Sequence, residues 1–198
     1  MYEIEMTGDL LLVVKQPQPV LAPSESVPSP ESLLVDAARR GDQGAFGRLY
    51  DLYSRMVHGI LLARVPWHEV DDLVQDVFLQ ALRNLHTLRN SGAFGGWLGM
   101  IARNRAMDFH RRTRENEELT DNISTPNTSE AEAEAAAVLS IIKEMPEAYR
   151  ETLILRLVEG MTGPEIASRT GLTAASVRVN LHRGMKLLRE KLGMEESI

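Results

Sequence analysis

Cysteine is absent from the chain, and that one absence removes disulfides, thiolate zinc sites and cysteine nucleophiles. Any redox sensing would have to reside in a partner. Aromatic residues are scarce at 5%, so the 43% of hydrophobic residues must build mostly aliphatic cores. No apolar run approaches the roughly 20 residues that span a bilayer. The longest run near the start, Leu10 to Val14, follows acidic residues and lacks the basic lead-in of a signal peptide. A cytoplasmic protein with no direct membrane insertion is expected. The five histidines (His58, His68, His86, His110, His182) are scattered, and no two sit at helical ligand spacing, so no metal is expected. A paired acid/base constellation and a glycine-rich phosphate loop are also missing, which argues against an enzyme and against a cofactor.

What is present leans helical. Leu, Ala, Glu and Arg abound without strict alternation of apolar and polar residues, the pattern of an all-α fold, and 198 residues suffice for two small domains. The net charge of −6 is unevenly distributed. Seven acidic residues and no basic one lie between Glu115 and Glu134, which leaves the remainder at +1. Arg103 to Arg114 carries five arginines against Asp108, and Thr173 to Lys191 carries five Lys or Arg against Glu190. Two basic stretches separated by an acidic connector suit a nucleic-acid binder better than the mean charge suggests.

Punctuation divides the chain. Residues 1–28 hold Pro17, Pro19, Pro23 and Pro28 and are expected to be a flexible extension that could include a strand-like element at Leu10 to Val14. Ser29, Pro30 and Glu31 signal a helix start, with a stop at Gly41. A second helix follows Asp42, placing Phe46, Leu49, Tyr50, Tyr53, Val57 and Ile60 at core spacing. The third is the most regular, with Val70, Leu73, Val74, Val77, Phe78, Ala81, Leu82 and Leu85 as its apolar stripe and Asp72, Gln75, Asp76 and Leu79 on another face. A fourth runs from about Phe94 to Arg112. Residues 29–113 make a first helical domain, 114–128 a flexible acidic linker, and 129–193 a second domain. That domain opens with a capping box, Ser129 with Glu132, and has breaks at Pro146 and Gly160.

The strongest local pattern spans Thr162 to Leu188. A capping box, Thr162 with Glu165, starts a short helix; Thr170-Gly171-Leu172 forms a turn; Thr173 caps a longer helix with Val177, Leu181 and Leu188 inward. Small Ala167 permits a close crossing, and Gly171 supplies positive φ. This is a helix-turn-helix whose second helix would enter a major groove, with Arg178, His182, Arg183 and Lys186 outward. The fourth helix combines Phe94, Leu98, Ile101 and Ala102 on its core side with Asn104, Asp108, Arg111 and Arg112 on another, and Trp97 could stack on an unpaired base.

Two blocks then carry a resemblance. Asp71-Asp72-Leu-Val-Gln75-Asp76-Val-Phe-Leu with Trp97-Leu and Ile-Ala-Arg-Asn through Arg111-Arg112 resembles region 2 of extracytoplasmic-function (ECF) sigma factors. Met145-Pro-Glu-Ala-Tyr-Arg-Glu with Glu165-Ile-Ala, Ser176-Val-Arg178 and Leu-His182-Arg183 resembles their region 4. The resemblance covers about residues 31–192. It implies that Asp71, Asp72, Gln75 and Asp76 contact the β′ clamp helices of core RNA polymerase, with the β subunit a further contact. It implies that the loop from 86 to 93, with His86, Arg89 and Asn90, receives a flipped base of the −10 promoter element. Trp97, Arg103, Asn104, Asp108, Arg111 and Arg112 would track that strand. Ser176, Arg178, Val179, His182, Arg183 and Lys186 would read the −35 element. Promoter DNA and an anti-sigma factor are the remaining expected partners. Gly163-Pro164, Val179-Asn180 and Gly184-Met185 depart from the family's usual residues.

Other readings explain less. A stand-alone helix-turn-helix regulator leaves the acidic face and the Trp97 block without a role. A sigma-like adaptor that has lost DNA binding would need the 179–185 departures to abolish reading.

Overall fold

The computed structural model describes residues 29–117 and 130–193. Among the described residues there are eight α-helices and no strand. They are α1 (Pro30–Arg39), α2 (Gln43–Leu62), α3 (Val70–Asn84), α4 (Phe94–Glu117), α5 (Glu130–Lys143), α6 (Glu147–Leu157), α7 (Gly163–Thr170) and α8 (Ala174–Lys191). The extension at 1–28 with its Leu10 to Val14 element, the Ser129–Glu132 capping box and most of the acidic linker lie outside the described residues. The start of that linker differs from expectation: α4 continues to Glu117 and absorbs residues 114–117.

Helix starts fall where side chains can satisfy orphan amides. Ser29 Oγ accepts from the Ser32 amide at 3.1 Å, and Asp42 Oδ1 accepts from the Ala45 amide at 3.0 Å. Between them Gly41 adopts φ 97°, a conformation that would strain any other residue. The Thr162–Glu165 capping box closes both ways: the Thr162 amide donates to Glu165 Oε2 at 2.8 Å, and the Glu165 amide donates to Thr162 Oγ1 at 3.4 Å. Thr173 Oγ1 accepts from the Ser176 amide at 3.1 Å.

Helix α2 is the hub of the first four helices, packing on α1, α3 and α4. The α3 stripe is buried at Val70, Leu73, Val74, Val77, Phe78 and Ala81, with Leu85 just beyond the helix. Leu82 departs from that expectation: it lies at the edge of the stripe and is 48% exposed. From α4 come Phe94, Leu98, Ile101, Ala102 and Ala106, and the Phe94 ring meets Tyr53 edge-on at 5.1 Å. The last helices pack α6 on α8 and α7 on α8 around Leu153, Ile154, Leu155, Ile166, Val177 and Leu188. A Cβ on Gly184 would stand 3.2 Å from both Leu153 and Tyr149, so the bare backbone here lets α8 approach α6 closely.

The two helical groups also pack directly on one another, with α6 and α7 against α2 and α7 against α4. Two glycines permit the approach. A Cβ on Gly59 would fall 2.7 Å from Leu155 Cδ2, and one on Gly95 would fall 2.2 Å from the carbonyl oxygen of Arg169.

Truncating the fully buried Leu98 to Ala should cost about 2–5 kcal/mol, whereas Leu82→Ala should cost about 1 kcal/mol or less. Urea denaturation of the two variants beside the parent checks this, and equal losses would contradict the assignment of Leu82 to the surface.

Candidate nucleic-acid interface

Helix α8 is built with two opposite sides. Val177, Gly184 and Leu188 repeat at seven and four residues and are buried. Ser176, Arg178, Val179, His182, Arg183 and Lys186 are all exposed, on the side away from that stripe. The helix is fixed at its start by the Thr173 cap and by Gly171, the helix-turn-helix glycine, at φ 76°. A rigid helix held by its apolar side thus presents four cationic or imidazole groups with Val179 and Ser176, a set suited to phosphates and base edges. Two of the family departures acquire a physical reason. Gly184 and Met185 lie toward the packing side, so they concern the fit of α8 on α6, whereas Val179 lies on the outer face.

The second cationic face is on α4. Asn104, Arg111 and Arg112 are exposed and Asp108 is half-buried; Asp108 Oδ1 pairs with Arg111 at 3.0 Å. That pair holds the Arg111 guanidinium against its own helix at a surface where a single ion pair contributes little. Trp97 is partly buried, its ring 5.9 Å from Phe94, so one part of the indole is packed and the rest faces outward. The loop from 86 to 93 is anchored by buried Leu85 and Leu88 and by Arg39 Nη2 donating to the Leu88 carbonyl at 2.5 Å. Asn90 Oδ1 accepts from the Gly92 amide at 2.9 Å, shaping a short turn. His86, Arg89 and Asn90 stand exposed on this framework.

On α3, Asp71, Asp72 and Gln75 are exposed beside Leu79. Asp76 differs from the other three. It forms an ion pair with Arg105 of α4, so its charge is partly spent inside the domain, and it ties α3 to α4.

Arg103 also differs from its expected companions. It is one position from Asn104 on a helix that advances about 100° per residue, and its guanidinium turns toward the second helical group. There its Nε and Nη2 donate to Glu151 Oε2 and Oε1 at 3.0 and 2.6 Å. Arg64 Nη2 donates to the same Glu151 Oε2 at 2.7 Å and to Glu147 Oε1 at 2.5 Å, and its bond holds the Glu147 carboxyl below the usual carboxylate range. Nearby, His58 Nδ1 and Glu159 Oε1 stand 2.6 Å apart, Lys143 Nζ donates to the Val65 carbonyl at 2.7 Å, and the Arg169 guanidinium lies 5.5 Å from the centre of the Tyr53 ring. Sequence reasoning missed this contact set because its members are up to 101 residues apart. One signal was available: Glu151 lies three and four residues from Ile154 and Leu155, which are fully buried, so its carboxylate falls beside a core face.

Comparison with known proteins agrees with this architecture. The sigma-70 region 2 family model matches residues 49–116, and the sigma-70 region 4 model matches residues 135–188. The RNA polymerase sigma factor NccH of Alcaligenes xylosoxydans xylosoxydans is 31% identical, over 79% of this chain and 91% of NccH. The ECF RNA polymerase sigma factor BldN of Streptomyces coelicolor is also 31% identical, over 78% of this chain but only 63% of BldN. The ECF sigma-E factor of Escherichia coli K12 is 28% identical over 82% of this chain and 94% of its own length. Among solved structures, CnrH in complex with the cytosolic domain of CnrY superposes with a TM-score of 0.59 at 26% identity, covering 84% of this chain and 99% of CnrH. RpoE of Bartonella quintana shares the fold, with a TM-score of 0.52 at 17% identity. The chain belongs to the sigma-70 family of RNA polymerase sigma factors, in its ECF branch. It is a non-enzymatic factor for promoter-directed transcription initiation with RNA polymerase.

The His58–Glu159 pair gives a pH-dependent prediction. The hydrogen bond to Glu159 raises the His58 pKa above its ordinary value, burial works against that rise, and the charges of Glu159 and Asp71 add to it. A raised folded-state value means that the pair's stabilisation is complete below about pH 6.5 and is lost as pH climbs through the folded-state value. Imidazole resonances of His58 followed by NMR should titrate above about 6.5 and move back toward it in Glu159→Gln. An unshifted His58 in the parent would contradict the pair.

Proposed function

We propose that the two domains divide the promoter between them, α8 reading the −35 element and the region 2 domain capturing the −10 strand. The observation that carries this reading is the two-sided build of α8, whose buried stripe orients the outer residues Ser176, Arg178, Val179, His182, Arg183 and Lys186 as one surface. The −10 strand would pass over His86, Arg89 and Asn90 and along Trp97, Asn104, Asp108, Arg111 and Arg112, with Arg103 joining once it is released from Glu151. A flipped base seated in the loop from 86 to 93 would offset its unstacking by contacts in a fitted pocket.

The acidic face of α3, Asp71, Asp72 and Gln75 with Asp76 at its edge, is the proposed dock for the β′ clamp helices of core polymerase, and the β subunit is the second polymerase contact. Complementary charge would steer that encounter. CnrH is solved with the cytosolic domain of CnrY and RpoE with the anti-sigma factor NepR, which supports an anti-sigma factor as a partner here too. Among the described residues no helix is long and apolar enough to cross a membrane, and we place the chain's work in the cytoplasm, beside polymerase. A stand-alone regulator would leave the region 2 match without a role.

Two arginines should fail differently. Arg183→Ala removes a base-edge contact worth about 1–3 kcal/mol and should reduce closed-complex formation while blurring preference within the upstream element. Arg111→Ala should act on the opened complex. A template with a pre-melted bubble at the downstream element should partly rescue Arg111→Ala, since the unstacking cost is already met, and do little for Arg183→Ala. Equal rescue of both, or of neither, would overturn the division of labour.

A further inference from the structure

Arg103 and Arg64 belong to the region 2 domain and Glu151 to region 4, yet the three form one cluster, in which Arg64 and Glu151 are buried and Arg103 is partly exposed. Glu151 is 5% exposed, and its carboxylate accepts three hydrogen bonds from two guanidinium groups. The fork of a guanidinium fits a carboxylate and a phosphate in the same two-point manner. Glu151 therefore occupies on Arg103 the place a strand phosphate would take.

The surrounding contacts lock the same arrangement. Gly95, at the start of α4, lies against the Arg169 carbonyl, and Gly96 lies near Thr170 and Gly171, so the strand-capture helix abuts the helix-turn-helix turn. This geometry conflicts with simultaneous reading of both elements. Sites about 25 base pairs apart lie about 85 Å apart along duplex DNA at about 3.4 Å per step, whereas α8 is only about 27 Å long. Domains in direct contact through α4 and α7 do not bridge that span.

We infer that Arg64, Arg103 and Glu151 form an intramolecular latch that holds the free protein closed, with region 4 supplying a carboxylate that masks a phosphate-binding arginine of region 2. This rests on the proposed division of the promoter for the role of Arg103, but the latch itself is a statement about the free chain. Opening the latch exposes two cations and a carboxylate to water, so the closed state is poised for exchange when a nucleic-acid strand and polymerase offer replacements. Removing the carboxylate charge alone leaves Arg103 without its ion-pair partner and Arg64 with Glu147 alone, which favours the open state.

The chain has no cysteine, so Gln80→Cys on α3 and Glu190→Cys on α8, both exposed positions, give a clean pair of spin labels on the full-length protein. The labelled parent should show one narrow distance distribution. Glu151→Gln should move at least half of the population to a longer, broader one, with helix content by circular dichroism unchanged. Gly59→Leu, whose side chain would collide with Leu155 and Glu159 across the interface, should do the same without removing any charge and serves if Glu151→Gln fails to fold. A parent already broad and long, or variants as narrow as the parent, would overturn the latch. Adding core polymerase and promoter DNA separates the two readings: a parent that stays closed there, while Glu151→Gln opens the free chain, leaves the latch standing and overturns the division of the promoter.

Discussion

The burial of the Glu151 carboxylate is the constraint on which the arrangement of the two domains depends. An ionised carboxylate removed from water is costly unless it is paired and hydrogen-bonded, and its partners, Arg64 and Arg103, both come from the other domain. Satisfying that group therefore fixes α6 against α2 and α4. Through Gly184 and the α6–α8 contact, the same requirement sets where the outer face of α8 points. Apolar packing of Leu155 on Gly59 supplies area, but it is non-directional and would tolerate other orientations. The ion cluster specifies one of them.

Charge is distributed so that one chain can meet two kinds of partner. The α3 face is acidic and borders exposed Leu79 and Leu82, whereas α8 and the outer side of α4 are basic. A net charge of −6 opposes non-specific approach to DNA phosphates, so reading depends on the local faces being oriented toward DNA. Such segregation suits a factor whose specificity is exercised on polymerase.

Much of this was legible in the residues. Ser29, Asp42, Thr162 and Thr173 announce helix starts because each supplies the oxygen that an unsatisfied amide requires, and the α3 stripe follows from apolar spacing alone. The outer face of α8 was legible because its buried side is marked by Val177 and Leu188. Periodicity puts Leu82 on the apolar stripe because it gives the angle of a residue on its helix but not the reach of the neighbouring helix. The resemblance groups Arg103 with the strand-tracking residues, and a motif shows charge without showing which way a guanidinium turns. The Asp76–Arg105 pair leaves no mark in the sequence because its two residues lie on different helices. The inter-domain cluster leaves only one local sign, the Glu151 carboxylate beside Ile154 and Leu155, because its hydrogen-bonded pairs are 48 to 101 residues apart in the chain.

If this chain confers promoter recognition on RNA polymerase, run-off transcription with purified core polymerase will show it. On a mixture of bacterial promoter fragments, core polymerase alone should give no discrete run-off products, and adding the chain should yield discrete products from a subset. Transcripts that are the same with and without the chain, at concentrations where it binds core polymerase, would show that it confers no promoter recognition.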